Sequence, residues 1–418
     1  MKDGGSRMGS DRRVAVVGMG IRSPVGNSLM EFAESLQRGR SGIRKMPEWE
    51  GIRRLRTKVA GVCNIDGQDK GVPRNFRRSM GRVAVLAALS AIDAVKQSGL
   101  TEKQVASPEC GISYGSTAGS TLEQVELIGR YILNSDLTGA LASSYLKCMS
   151  HTCAGNLSTL FGLKGPFIAS CTACVSGSQG IGFGYEAIRT GKAEIMITGG
   201  AEEMHFLHAA VFDLMLATSS RYNDQPSKTP RPFDAERDGL VVAEGAGTLV
   251  LEEYKHAKRR GAQILAEVEG FWTNGSGVHL TDSDAPSIER CMRRALGEAG
   301  RNPEDVQHVT AHATATANGD EAEALAIHRV YGSRVSVSAI KGYTGHTLGA
   351  SGAIEAIGTI LMMKEGFIAP TLNLERPDPQ LPPLNHVIGN PIDKRITVVM
   401  DNNFAFGGIN TSMILSLA

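Results

Sequence analysis

A cysteine near the middle of the chain, Cys174, has neighbours that favour a reactive thiol. A short apolar run beginning at Phe167 leads to it, and a glycine-rich run of small residues follows from Ser176. This pattern predicts a strand or tight turn that ends at Cys174 and passes into a helix. Free N–H groups and the helix dipole favour negative charge there, so we expect the thiol to ionise readily. The small residues leave room for another backbone or a substrate, and Cys174 is therefore a candidate nucleophile.

Two other interpretations of Cys174 are open at this point. Buried cysteines often serve as small hydrophobic core residues. Cys171 and Cys174 also form a Cys-x-x-Cys pair, a pattern found in redox-active proteins and in zinc sites. The sequence has no second Cys-x-x-Cys to complete a zinc site. We therefore predict neither a metal site nor a cofactor.

Two histidines occupy positions comparable to that of the cysteine. His312 follows a strand-like segment and enters a run of Ala and Thr, while His346 ends the motif Lys-Gly-Tyr-Thr-Gly-His that begins at Lys341. We expect a long helix from His346 to Met363. A cysteine protease needs one histidine as base and an Asn or Asp to orient it. Two histidines suit a reaction that develops negative charge on a carbonyl oxygen, such as decarboxylation of a malonyl thioester.

The composition indicates a turn-rich globular protein. The 418 residues are 42% hydrophobic and 21% charged, include 49 glycines and carry a formal net charge of +1. This balance creates no overall field that would attract nucleic acid or a membrane, so we expect neither as a partner. Seven cysteines, an odd number, are not typical of a disulfide framework. Residues 1–13 are polar, unlike a signal peptide, and we predict a cytoplasmic protein.

Strand-like and helix-like segments alternate along both halves of the chain, which indicates an α/β fold. The first strand, Arg13 to Gly20, ends in glycines, but Ser23 stands in place of the third glycine of a dinucleotide-binding fingerprint. We therefore reject a Rossmann nucleotide site. The basic segment Lys255 to Gly261 is expected to join the two halves, and we predict domains at residues 12–258 and 259–418.

Four motifs together resemble those of the chain-elongating beta-ketoacyl-acyl-carrier-protein synthases that use one cysteine and two histidines. They are Thr-Ala-Cys at 172–174, His312 with Gly-Asp at 319–320, Lys341 with Thr-Gly-His at 344–346, and Phe-Gly-Gly at 406–408. The resemblance extends from about residue 12 to the C-terminus. It implies a thiolase-like five-layered αβαβα fold with two pseudo-repeated halves. It also implies a homodimer whose partner is acyl carrier protein, in both its acyl-loaded and malonyl-loaded forms.

The resemblance further implies a catalytic role for each matching residue. Cys174 would accept the acyl chain as a thioester. His312 and His346 would polarise the malonyl carbonyl and stabilise the enolate. Lys341 would support the histidines electrostatically, with Glu355 as its partner.

Substrate-binding roles are implied in the same way. The backbone N–H groups of Cys174 and Phe406 would form an oxyanion hole, Phe404 and Phe406 would gate entry of the second substrate, and Ala118 would line the acyl pocket. Three arginines near the start of a helix-like run to Ser98 are spaced to share one face. This face is either an ordinary solvated surface or, on the family pattern, the dock for the acidic carrier protein; the residues are Arg74, Arg77 and Arg78.

The sequence departs from the family pattern at Ala313 and Ala405, where glycine is usual. An added methyl group restricts positive φ, so we expect these positions to affect gate movement or chain-length preference more than the chemistry. We predict a decarboxylating condensation in fatty acid elongation. The alternatives are the same chemistry in a type II polyketide or aryl-polyene pathway, and a non-catalytic chain-length partner subunit. The Lys341 to His346 motif disfavours a thiolase.

Overall fold

The computed structural model describes residues 12–139, 141–279 and 281–417. Residues 1–11, which include most of the polar amino-terminal segment, lie outside the described residues. The strands are β1 Val14–Arg22, β2 Ile43–Lys45, β3 Val59–Gly61, β4 Cys110–Gly115, β5 Phe167–Ser170, β6 Ile195–Glu202, β7 Gly245–Glu253, β8 Ala266–Gly275, β9 His308–Thr310, β10 Ser336–Ser338, β11 Phe367–Ile368, β12 Asn385–His386, β13 Ile392–Asp393, β14 Val398–Ala405 and β15 Ile409–Ser416.

Helices alternate with these strands along the chain. The α-helices are α1 Leu29–Arg38, α2 Arg74–Arg77, α3 Arg82–Ser98, α4 Glu102–Val105, α5 Thr121–Asn134, α6 Ala142–Cys148, α7 Thr152–Phe161, α8 Ser176–Arg189, α9 Phe206–Leu214, α10 Tyr254–Arg259, α11 Ala285–Ala299, α12 Ala317–Tyr331, α13 Lys341–Thr344 and α14 Ser351–Glu365. Short 3-10 turns include Ala173–Val175 and Leu348–Ala350. None of the helices in the described part of the chain combines the length and apolar composition needed to cross a bilayer.

The two halves of the chain build the same arrangement of strands. The first half has the order β5–β4–β6–β7–β1, and the second has the order β10–β9–β14–β15–β8 with β12 added beyond β10. In each half the first three strands pair in parallel, and the last two join in antiparallel. Antiparallel pairing of β1 with β8 makes one continuous sheet. The predicted pseudo-repeat is therefore confirmed.

Helices form three layers around the two half-sheets. α3 packs on β1 and β7, and α11 packs on β8 and β15. Between the half-sheets, α8 and α14 pack on each other and on strands of both halves. The resulting order of layers is αβαβα, as predicted. The topological repeat makes α8 and α14 equivalent, because each follows the corresponding parallel strand of its half.

The sequences of the two central helices suit a position that is buried on all sides. Every residue of α14 except the last two is buried. Helices that are apolar on all faces belong in protein interiors. Glycines let α8 approach its neighbours closely: a Cβ on Gly180 would lie 2.4 Å from the Gly199 carbonyl oxygen, and one on Gly182 would lie 2.2 Å from the Phe271 ring. These two glycines of α8 therefore leave room for the backbone of β6 and for a side chain of β8.

Two local predictions were wrong. The helix expected from His346 begins instead at Ser351, because Leu348 has a φ of +47° and cannot be part of a right-handed helix. The three arginines do not start the helix that ends at Ser98. They lie on and directly after the short helix α2, and α3 begins separately at Arg82.

Candidate active site

A strained turn between β5 and α8 positions Cys174. The cysteine occupies the middle of the 3-10 turn Ala173–Val175, and Ala173 has a φ of +50°, which is unusual for a residue other than glycine. The Ser176 hydroxyl accepts the Thr172 N–H at 2.9 Å and donates to the Ala173 carbonyl at 2.7 Å. Strain of this kind persists only where surrounding contacts enforce it, and it concentrates at functional sites.

His346 occupies the corresponding approach to α14 in the second half. Its backbone N–H donates to the Val241 carbonyl at 2.7 Å, and its carbonyl accepts the Ala243 N–H at 2.8 Å. Its ring Nδ1 lies 3.0 Å from the Ser351 hydroxyl, at the first residue of α14. The backbone of the first half therefore fixes a histidine supplied by the second half.

His312 is held in the loop between β9 and α12 by two carboxylates of that helix. Glu323 accepts the N–H groups of His312 and Ala313 at 2.9 and 2.7 Å, and Asp320 accepts the Ala315 N–H at 3.0 Å. No spacing rule pointed to Glu323 in the sequence, although it lies only three residues beyond the Gly-Asp motif. Its role emerges only when the loop folds back on the helix.

The structure brings the cysteine and both histidines into one buried cluster. Cys174 Sγ lies 2.9 Å from His346 Nε2, and the rings of His312 and His346 meet edge to face with centroids 5.3 Å apart. All three line a cavity of about 60 Å³ and are at most 7% exposed. Cys171 is instead exposed, and its thiol donates to the Thr117 carbonyl. The two cysteines of the Cys-x-x-Cys pair therefore have different partners.

Lys341 connects His312 to a buried carboxylate. Its Nζ lies 2.5 Å from Glu355 Oε1 and 3.0 Å from His312 Nδ1, and Glu355 Oε2 accepts the Asn403 amide at 2.7 Å. Burial raises the pKa of Glu355, whereas the Lys341 ammonium and the Asn403 amide act against that rise. The Lys341 ammonium and the Glu355 carboxylate form a buried ion pair.

The lysine decides which nitrogen of His312 carries the proton. An ammonium can only donate hydrogen bonds, so His312 Nδ1 must accept from Lys341. Burial, together with the charge of Lys341, holds the pKa of His312 well below its usual value, so the ring is neutral near pH 7. A neutral ring whose Nδ1 accepts must carry its proton on Nε2. His312 therefore offers an Nε2–H donor.

The thiol of Cys174 does not ionise readily in the resting site, contrary to the sequence-based expectation. Burial raises its pKa to about 12, and this effect outweighs the opposing charge of Lys341 and the backbone N–H at the turn. Burial, with the charge of Lys341, also holds the pKa of His346 well below its usual value. The resting pair is thus a neutral thiol beside a neutral imidazole.

Phe406 stands between the inner cavity and a larger one. The inner cavity holds the cysteine and histidines, and a second cavity of about 590 Å³, which we call the vestibule, includes Leu216, Arg237 and Phe406 in its lining. Among the described residues, five line both cavities: Asp282, Ser283, Thr316, Gly319 and Phe406. Phe404 packs edge to face on His312 with centroids 5.8 Å apart. Phe406 therefore marks the boundary between the larger cavity and the one that contains Cys174.

Comparison with known proteins identifies the family. Residues 11–257 match the family described as "Beta-ketoacyl synthase, N-terminal domain", and residues 265–375 match the corresponding C-terminal domain. The chain belongs to the beta-ketoacyl synthase family. It is 35% identical to the 3-oxoacyl-[acyl-carrier-protein] synthase 1 of Haemophilus influenzae over 416 residues, which cover 96% of this chain and 98% of that protein.

Solved structures of ketosynthases have the same fold. The beta-ketoacyl synthase from Burkholderia phymatum is 44% identical, with a TM-score of 0.94 over 97% of this chain and all of that chain. A type II polyketide ketosynthase, solved with its acyl-carrier protein and bound to the hexaketide, is 28% identical, with a TM-score of 0.88 over 97% of this chain and 99% of that chain. The thiolase-like fold class is thereby confirmed.

Three further groups of residues were predicted from the sequence: the two alanines that replace glycine, the acyl-pocket residue and the docking arginines. Neither Ala313 nor Ala405 has a positive φ, so alanine is not strained at either position. Ala118 lines neither of the two cavities, and its carbonyl accepts the side-chain amide of Gln124 in α5. Arg77 pairs with Asp69. The other two docking arginines, Arg74 and Arg78, are exposed.

Glu323 makes the stability of the protein dependent on pH. Burial raises its pKa from 4.5 to about 8 despite the two N–H groups it accepts. Between these values the folded state binds a proton that the unfolded state does not, so this group's contribution to stability falls as pH rises. Glu323→Gln should therefore lower Tm at pH 5, where one N–H loses its acceptor. Between pH 5 and pH 8 the parent loses the contribution of Glu323 and the variant does not. The Tm of the variant minus that of the parent should therefore increase by several degrees over this range.

Thermal melting at pH 5, 6.5 and 8 measures this difference. Glu321→Gln is the matched control, because it removes an exposed carboxylate from the same helix. Its difference from the parent should stay nearly constant across the range. Parallel curves for the two variants would contradict the buried-carboxylate account.

Proposed function

We propose that the protein is a 3-oxoacyl-acyl-carrier-protein synthase, an acyltransferase that elongates fatty acids. An acyl group passes from its carrier to Cys174 and is then condensed with malonyl-carrier, giving 3-oxoacyl-carrier and carbon dioxide. The observation that carries this proposal is the cluster of Cys174, His346 and His312 with its lysine-fixed Nε2–H. Full-length similarity to a 3-oxoacyl-[acyl-carrier-protein] synthase supports it.

In the first half-reaction, Cys174 Sγ attacks the carbonyl carbon of the incoming thioester. Neutral His346 lies at hydrogen-bond distance and accepts the thiol proton as the new S–C bond forms. The bond to the carrier sulfur breaks, and His346 returns the proton to that sulfur. A thiol whose pKa is raised to about 12 needs this adjacent base to react near neutral pH. The backbone N–H groups of Cys174 and Phe406 are the proposed donors to the tetrahedral oxyanion.

In the second half-reaction, the malonyl carboxylate leaves as carbon dioxide and its bonding electrons form an enolate. The His312 Nε2–H donates to the enolate oxygen, in a site where low dielectric strengthens that bond. The enolate carbon attacks the Cys174 thioester and the S–C bond breaks, which leaves a Cys174 thiolate. That thiolate takes up one proton from solvent through His346, so the net reaction consumes one proton. His346 supplies a second donor when the Ser351 hydroxyl donates to its Nδ1, because a hydroxyl can donate or accept.

A second candidate is the same condensation in a type II polyketide pathway. Its support is the likeness to the type II polyketide ketosynthase, although that identity is lower than the 35% shared with the synthase 1 relative. An aryl-polyene pathway would use the same chemistry. Product analysis with saturated, unsaturated and aromatic primers distinguishes these pathways.

We also propose a cytoplasmic homodimer. β5 is an edge strand whose Phe167 is 48% exposed, and α5 carries exposed apolar side chains that include Ile128 and Ile132. An edge strand that pairs on one side only within the described residues, and an exposed apolar helix face, each favour association with a second copy. The Ala118 carbonyl accepts the side-chain amide of Gln124 in α5, so the proposed acyl pocket would be completed at this surface. Sedimentation equilibrium should give twice the chain mass of 44.4 kDa, and a monomer would refute the dimer.

The proposed carrier dock includes the exposed residues Arg74 and Arg78, with Arg77 held by Asp69. These side chains would meet the acidic carrier protein. Exposed charges act mainly on the rate of encounter and lose effect as salt screens them. A carrier affinity that does not change with ionic strength would count against the dock.

Substitution of each cysteine separately tests the nucleophile. Cys174→Ala should reduce condensation by several orders of magnitude and abolish formation of the acyl-enzyme, because no thioester can form. Cys171→Ala should keep most of the activity, since within the described residues its thiol donates a hydrogen bond to the Thr117 carbonyl and has no other hydrogen-bond partner. Intact mass after incubation with acyl-carrier measures both. The reverse pattern would refute the assignment of Cys174.

A further inference from the structure

Glu202, the last residue of β6, is a buried carboxylate that takes no part in the proposed reaction steps. Its side chain has no exposed surface. Its Oε2 accepts two backbone N–H groups, that of Thr117 at 3.0 Å and that of Gly349 at 3.2 Å. Burial of a carboxylate costs free energy unless hydrogen bonds compensate for the lost water. Both bonds use the same oxygen, so this carboxylate joins Thr117 to Gly349.

The two N–H groups belong to different halves of the chain. Thr117 lies in the loop between β4 and α5, which we call the acyl-pocket loop because it carries Ala118. Gly349 lies in the 3-10 turn between the proposed base His346 and α14. One oxygen therefore holds the acyl-pocket loop of the first half against the turn that follows His346 in the second half.

The turn that contains Gly349 lies directly against this carboxylate. A Cβ on Gly349 would be 2.8 Å from the Thr117 nitrogen and 3.0 Å from Glu202 Oε2. Gly349 does not have a positive φ, so close approach, and not backbone freedom, requires glycine here. The packing and the two hydrogen bonds thus bring the same three residues together.

The neighbouring Glu203 holds the other end of the acyl-pocket loop. It accepts the Ser120 hydroxyl at 3.0 Å and the Leu122 N–H at 2.8 Å. The N–H of Val83 in α3 also donates to it, at 3.0 Å. Within the described residues these partners of Glu203 all belong to the first half, whereas Glu202 reaches the second. The two adjacent carboxylates therefore differ in what they connect.

The second oxygen of Glu202 indicates that the connection is more than a packing solution. Within the part of the chain that the structure describes, Glu202 Oε1 has no hydrogen-bond partner, and neither has the Thr117 hydroxyl. Buried polar atoms without a partner are rare and destabilising. An apolar side chain of similar size would avoid the unpaired oxygen, but it could not accept the two N–H groups.

The charge of Glu202 opposes reaction at Cys174. Burial raises the pKa of the Cys174 thiol to about 12, the charge of Lys341 acts against that rise, and the charge of Glu202 adds to it. Burial also raises the pKa of Glu202, to about 7, so this side chain is a carboxylate at pH 8.5. A benefit of Glu202 to acyl transfer must therefore come from the positions it fixes, because its charge makes the thiol harder to ionise.

We propose that Glu202 is a positioning residue for acyl transfer, whose Oε2 fixes the acyl-pocket loop relative to the turn that follows His346. The inference rests on the proposed function, in which the pocket holds the acyl chain and His346 takes the thiol proton. Glu202 does not touch the substrate. It keeps the bound acyl group and the base in one relative position, and misplacement of reacting groups by about 1 Å can lower a rate on the order of a hundredfold.

Substitution of Glu202 separates position from charge. Glu202→Met removes the shared acceptor, and acylation of Cys174 by saturating dodecanoyl-pantetheine at pH 8.5 should slow about tenfold. Glu202→Gln keeps an oxygen that accepts both N–H groups, so its acylation rate should stay within about threefold of the parent. Glu186→Met, which removes an exposed carboxylate of α8, is the matched control and should not change the rate.

Alkylation by iodoacetamide provides a readout that a purely structural role would not move in this direction. This reaction forms an S–C bond with loss of iodide and needs only the thiolate, not His346 or the acyl pocket. Loss of the Glu202 charge should therefore speed alkylation of Cys174 about twofold in both variants. Peptide mapping assigns the adduct, because the exposed Cys171 also reacts. Faster alkylation with slower acylation in Glu202→Met is the expected signature.

Three results would overturn the positioning role: parental acylation by Glu202→Met, equal slowing in the Met and Gln variants, or slowing of alkylation and acylation together. If Glu202→Met does not fold, Glu202→Gln decides alone. It should combine near-parental acylation with faster alkylation, and a tenfold loss of acylation or unchanged alkylation would refute the role. A parent protein that is alkylated at Cys174 but never acylated there would instead refute the proposed function.

Discussion

The buried contact between Lys341 and Glu355 is the interaction on which the site depends. Moving an ammonium and a carboxylate out of water costs several kcal/mol for each ion, and only close pairing with further hydrogen bonds offsets that cost. Glu355 meets Lys341 at 2.5 Å and also accepts the Asn403 amide. With the pair fixed, Lys341 donates to His312 Nδ1 and leaves the proton on Nε2. The Lys341–Glu355 ion pair does not touch the proposed substrate. It nevertheless determines that His312 Nδ1 accepts a hydrogen bond and that His312 Nε2 donates one. Removal of either partner of such a pair leaves an uncompensated buried charge.

The repeated topology explains how distant parts of the chain meet at this contact. α8 and α14 occupy equivalent positions between the half-sheets, and the turns that precede them carry Cys174 and His346. The start of α8 packs closely on the turn before α14, since a Cβ on Gly177 would lie 2.8 Å from the Gly349 carbonyl oxygen. The third group, His312, comes from the loop after β9 and is fixed by Glu323 of the next helix. The two equivalent turns thus provide the Cys174 thiol and its base His346. The loop after β9 adds His312 as the hydrogen-bond donor.

The sequence was most informative about residues at the ends of strands. The positions of Cys174 and His312 at such ends and the α/β class could be predicted from the residue patterns. The αβαβα layers and the repeat were implied only by the resemblance to a known family. The sequence was least informative where tertiary burial decides the outcome. The helix-terminus argument for Cys174 ignored the removal of the thiol from water, which reverses the direction of its pKa shift. The late start of α14 depends on left-handed backbone at Leu348, a residue type that gives no signal for it. Glu323 and Asn403 act only through contacts made after folding.

The tautomer of His312 is the most direct test of this account. Nitrogen NMR of protein labelled with ¹⁵N-histidine, with the signals assigned by comparison with His312→Asn, distinguishes protonated from unprotonated ring nitrogens at pH 7. The account predicts a neutral ring with a proton on Nε2 and a bare Nδ1 that faces Lys341. A proton on Nδ1, or a doubly protonated ring, would contradict the proposed order of donors from Lys341 through His312 to the enolate.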